Sequence, residues 1–116
     1  MIVVTTDAVP GREIVETLGL VRGSTVRARN LLKDVGAALK VLVGGEVEEY
    51  TKLVAESREQ ALDRMIAEAE ARGADAILGF RFATSEVAKA AAEVVAYGTA
   101  VRLGAVVDET GAAGSV

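Results

Sequence analysis

At 116 residues, with no cysteine and no histidine, this chain fits one domain that lacks disulfides and the usual ligands of zinc, copper and iron. The missing histidine also removes the side chain that trades protons near neutral pH, and a net charge of −4 argues against a general nucleic-acid binder. No apolar run approaches the roughly 20 residues of a bilayer span, and Met1-Ile2-Val3-Val4-Thr5-Thr6 does not resemble a signal peptide, so no membrane partner and a cytoplasmic location are expected.

Residues 2–6 read as a short strand, and Val9-Pro10-Gly11 as a turn. Arg12 to Arg22 alternates as a strand, with Ile14, Glu16, Leu18 and Leu20 on one face and Val15, Thr17, Gly19 and Val21 on the other. Gly23-Ser24 marks a turn or bulge, after which Thr25 to Arg27 can continue the sheet. Asn30 suits a helix N-cap, and Leu31, Leu32, Val35, Leu39, Leu42 and Val43 follow at helical spacing until Gly44-Gly45.

A longer helix is predicted from Glu46 to Arg72, with Tyr50, Leu53, Val54, Ala61, Met65, Ile66 and Ala69 as its apolar stripe and Gly73 as its stop. Ala74 to Ala83 reads as a strand with Ala76, Leu78, Phe80 and Phe82 on one face. Thr84 to Ala92 fits either a helical turn or a loop. Glu93 to Leu103 is the last predicted strand, with Val95, Tyr97, Thr99, Val101 and Leu103 together and the small residues Val94, Ala96, Gly98 and Ala100 opposite. Residues 1–103 are thus expected to form one α+β domain, a small antiparallel-type sheet packed on a long helix, with 104–116 expected as a flexible tail.

Alanine and valine supply 39 residues against four Phe and Tyr, and mean hydropathy is +0.33. Such small side chains build a thin core, and a sheet apolar on both faces needs cover that one helix does not supply. Self-assembly through the excess apolar surface is therefore expected, with the Ala96 face meeting another subunit. Charge is uneven as well. Arg22, Arg27, Arg29, Lys33 and Lys40 face only Asp34 between residues 22 and 40, whereas residues 46–70 hold eight acids against Lys52, Arg58 and Arg64. These are two solvated or mutually paired faces, or else Arg27, Arg29, Asn30 and Lys33 form an anion site.

The segment Gly73-Ala74-Asp75-Ala76-Ile77-Leu78-Gly79 resembles the Gly-Ala-Asp-Ala-(apolar)-(apolar)-Gly signature of the YbjQ-like family. Thr5-Thr6, Gly19-Leu20-Val21-Arg22-Gly23, Arg29-Asn30-Leu31-Leu32-Lys33-Asp34, Gly44-Gly45 with Tyr50, and Gly98-Thr99-Ala100-Val101 agree with the family in order and spacing, over about residues 1–103. The resemblance implies a dodecin-like subunit plan and a homopentameric ring, in an uncharacterised family that carries a heavy-metal-binding label. One departure is Glu46-Val47, where the family often has Arg-Ser after the glycine pair.

The residues themselves give that label no support. Soft metals seek thiolate or imidazole, and the only sulfur atoms belong to Met1 and Met65, the latter on the predicted apolar stripe. Glu56, Glu59 and Asp63 at helical spacing fit a solvated face better than a cation site. No G-x-G-x-x-G or Walker sequence occurs, and Glu46, Glu48 and Glu49 would repel an anion from the start of the long helix. Asp34 with Lys33, Asp75 with Arg72, and Tyr50 are the remaining reactive groups, and none pairs a nucleophile with a base. The expectation is an oligomeric structural or binding module, not an enzyme, with no cofactor, no metal site and itself as partner. The alternative is a ring with a small-molecule or ion pocket between subunits.

Overall fold

A computed structural model describes residues 1–28, 47–88 and 91–106. Strands β1 (Ile2–Val3) and β2 (Arg12–Ala28) precede helix α1 (Val47–Ala71), and β3 (Ala76–Ala88) and β4 (Ala91–Val106) follow it. The sheet order is β1-β3-β4-β2. β4 pairs antiparallel with both neighbours, but β1 runs parallel to β3, so the sheet is mixed rather than of the expected antiparallel type. The N-terminal segment extends that parallel contact, with Val4 N–H donating to Ile77 O and Gly79 N–H to Thr6 O. The helix predicted from Asn30 lies outside the described residues.

β2 runs unbroken through Gly23-Ser24, where the sequence reads as a turn or bulge. Gly23 pairs with Ala96 and Ser24 with Val95 in a continuous ladder. The glycine is required because α1 crosses directly over it: a Cβ there would lie 2.2 Å from Ala61 O and 2.3 Å from Met65 N. Close approach of a helix and a tight turn both demand glycine, and here the first demand is the operative one. The register shifts nearer the start of β2, between Arg12 and Ile14, Ile14 and Glu16, and Thr17 and Gly19. These shifts break the expected alternation, so that Leu18 packs on the core with Val21 while Leu20 stands 59% exposed.

β3 and β4 form a hairpin longer than predicted, since residues 84–88 and 91–92 continue the two strands instead of forming a helical turn or loop. β4 also continues to Val106, three residues beyond the predicted end at Leu103, held there by Arg12 Nε donating to Gly104 O at 2.7 Å. Gly79, at φ +62°, sits in a register shift between Leu78 and Arg81. That extra residue reverses the facing of β3. Ala76 and Leu78 pack on one side of the sheet, and Phe80 packs toward the helix side, so these side chains do not share the single face their spacing predicts.

α1 matches its predicted limits to one residue at each end. Gly73 at φ +75° closes it, with Gly73 N–H bonding Glu70 O and Ala74 N–H bonding Ala69 O, both at 3.0 Å. This is the paired arrangement that satisfies the last helical carbonyls. Ala61, Met65 and Ala69 are fully buried along one stripe, beneath which lie Val21, Ile77, Val94, Ala96 and Ala100. Burying side chains such as Met65, Ile77 and Val21 stabilises the domain by roughly 1.5–3 kcal/mol each.

The small-residue face of β4 is therefore covered by the chain's own helix. Ala96 is 0% exposed within one subunit, which overturns the expectation that it meets another. On the opposite face, Ala76, Leu78, Val101 and Leu103 form a second cluster under Val4 and Val9 of the N-terminal segment. Beyond that cover the described residues leave the face open, and it carries Leu20, Val26 (58% exposed) and Tyr97 (36% exposed). No helix among the described residues is long and apolar enough to cross a membrane.

Candidate functional site

Of the four residues predicted to gather an anion, only Arg27 falls in a described element, near the end of β2 opposite Ala92. Its side chain, and the whole of Arg29, Asn30 and Lys33, lie outside the described residues, as do Asp34 and the Tyr50 side chain.

Asp75 with Arg72 resolves into two separate structural roles. Asp75 Oδ2 accepts from Leu103 N–H at 2.8 Å, and Asp75 N–H donates to Val101 O at 2.9 Å. The carboxylate thus joins the start of β3 to β4 across 28 residues of chain instead of closing its own turn. This accounts for an acid at the third position of the Gly-Ala-Asp-Ala segment. Removing the acceptor in Asp75→Ala leaves a part-buried N–H without a partner and is expected to cost about 1–3 kcal/mol of stability, measured by chemical denaturation. An unchanged denaturation midpoint would show that the bond contributes nothing.

The carboxylates Glu56, Glu59 and Asp63 line a shallow concavity on α1 together with Ala55 and Gln60. Among the described residues, no three acids converge in a way that holds a metal ion. Arg58, on the same helix, lies 5.9 Å from the ring centre of Phe82, which in turn meets Phe80 edge-on at 4.8 Å. That cation sits on an aromatic face, where it stabilises packing rather than a substrate.

The most ordered polar array of the described residues was not legible as a unit in the sequence. Arg64, Glu68 and Arg72 project from α1 over the outer edge of β2. Arg64 Nη1 donates to Ser24 O at 2.5 Å, Arg22 N–H donates to Glu68 Oε2 at 3.1 Å, and Arg72 Nη1 donates to Leu20 O at 3.1 Å. Arg72 Nη2 also donates to Glu68 Oε1 at 2.8 Å, tying two of the three together. The spacing of four residues was the available signal, and it reads equally as a solvated helix face.

These features define a small α+β domain in which one described helix crosses a mixed four-stranded sheet, with ordered polar contacts that are structural and an open apolar face. The chain belongs to the YbjQ family, whose model, described as "Putative heavy-metal-binding", matches residues 1–104. A UPF0145 protein of Fervidobacterium nodosum is 62% identical over 103 residues, covering 89% of this chain and 95% of the relative. A UPF0145 protein of Halorubrum lacusprofundi is 57% identical, covering 84% and 94%. The crystal structure of a Pediococcus pentosaceus protein of unknown function, from the DUF74 family, matches with a TM-score of 0.61 at 18% identity, over 90% of this chain and 98% of that one. At that identity the likeness speaks to the fold alone.

Proposed function

We propose that this protein is a homo-oligomeric structural or binding module whose subunits meet through the open face of the sheet. The observation that carries this reading is the exposure of Leu20, Val26 and Tyr97 on a face that the N-terminal segment covers only in part. Apolar side chains grouped on one face favour burial against another copy over contact with water. A mean hydropathy of +0.33 supports the same reading, and the family resemblance supplies five as the subunit number and a dodecin-like ring as the plan.

The family's heavy-metal description is not carried into this reading. With neither thiolate nor imidazole in the chain, and with Met65 wholly buried between helix and sheet, the donors present suit a soft metal poorly.

Light scattering at micromolar concentration tests the proposal. The expected mass is about five times the 12.0 kDa of one chain. Leu20→Glu changes an exposed side chain, so the fold should survive while the mass falls toward that of one subunit. A wild-type protein that is a stable monomer would refute the assembly. A variant that remains fully assembled would remove the open face as its interface.

A further inference from the structure

We propose that Arg64, Glu68 and Arg72 guard the outer edge of β2, closing residues 20–24 to strand addition by a second copy of this chain. Among the described residues β2 is the last strand of the sheet, and an edge strand presents alternate N–H and C=O groups that another strand can pair with. On this edge the outward groups include Leu20 O, Arg22 N–H and Ser24 O, and each is occupied by a side chain from α1.

Two independent features indicate that this occupation is matched to the strand. The first is pitch. Four residues of helix rise about 6.0 Å, and two residues of strand about 6.6–6.8 Å. Successive rungs therefore stay in step, and because helix and strand numbering run in opposite senses, Arg64 stands at Ser24, Glu68 at Arg22 and Arg72 at Leu20. The second is sign. Cations stand at the two carbonyls and the carboxylate stands at the amide, whereas a helix face charged only for solubility has no need of that match. The Glu68–Arg72 pair adds a lateral tie, although both side chains keep contact with solvent, at 34% and 43% exposure.

The excluded occupant is another copy's β2, since this strand offers the same edge and the apolar Leu20 and Val26 in every molecule. Two such edges can pair about a two-fold axis. The inference does not depend on the subunit number proposed above, because growth is judged against the wild-type mass, whatever that is.

The test is the full-length variant Arg64→Ala/Glu68→Ala/Arg72→Ala, in which alanine preserves helix propensity. Exchange of the Arg22 amide is expected to accelerate roughly tenfold as its acceptor is lost. Species larger than wild type, with increased thioflavin T binding, should appear at concentrations where the wild type shows none. Adding Arg22→Pro removes the outward N–H at a position where an edge strand tolerates proline, and should suppress that growth. A folded triple variant of wild-type mass would overturn the proposal, as would growth undiminished by the proline. If the triple variant does not fold, Glu68→Ala alone decides: faster Arg22 exchange with larger species supports the guard, and wild-type mass or unchanged exchange overturns it.

Discussion

Replacing Gly23 with alanine is expected to lower the melting temperature by roughly 10–20 °C, because overpacking costs about 1–3 kcal/mol and each kcal/mol shifts a small domain by about 4–8 °C. The upper end applies here. The new methyl carbon would meet Ala61 O and Met65 N, which are main-chain atoms of α1 and have no rotamer through which to retreat. Relief requires the whole helix to lift from β2, which opens the contact between Met65 and Val21. Gly79→Ala provides the contrast: a Cβ there meets nothing within 4 Å, so only its left-handed backbone conformation resists the change. That penalty is about 1–2 kcal/mol. Calorimetric melting of the two variants separates them, and a Gly23→Ala protein melting with the wild type would contradict the position of α1.

Arginine at Ala96 is expected to unfold the subunit rather than only dissociate the assembly. Ala96 lies on the helix side of the central strand, paired with Gly23 on one side and Phe82 on the other, with α1 above it. An unpaired guanidinium in that position costs several kcal/mol, comparable with the whole stability of a domain this size. Far-ultraviolet circular dichroism should therefore lose its native signal together with the oligomer. Leu20→Glu, on the open face, should lose only the oligomer. If Ala96→Arg instead gave a folded monomer, the small-residue face would be the subunit interface after all.

Some elements were legible because local pattern and tertiary role coincide. β4 alternates small and larger residues without a register shift in β2's ladder from Gly19 to Ala28, so its two faces follow directly from the sequence. α1 ends where glycine permits the left-handed turn, and its stripe of Ala61, Met65 and Ala69 follows helical spacing. The errors arise where one residue type serves two purposes. Gly23 reads as a turn because the helix that needs its missing side chain is nearly 40 residues away in the chain. Gly79 reads as an ordinary member of an alternating run, yet the extra residue it accommodates turns Phe80 to the other side of the sheet. The candidate anion residues Arg29, Asn30 and Lys33 follow from a local excess of charge, and they lie outside the described residues. The guard on β2 depends on two distant segments meeting in step, which neither segment signals alone.

The placement of β4 also governs when this domain can form. β4 is the strand on which both β2 and β3 depend, and it follows β2, α1 and β3 in the chain. Arg12 pairs with Val106, so the sheet closes only after almost the entire described chain is available. During synthesis, β2 and α1 leave the ribosome with no central strand to join them, and their apolar stripe must wait. The β3–β4 hairpin is the nearest-neighbour pairing and the natural starting point, after which β2 is captured across a long loop at a large entropic cost. Folding consequently waits on the last described strand, and a chain that stops before β4 has three strands and a helix, with only the short β1–β3 pairing and nothing to join β2 to it.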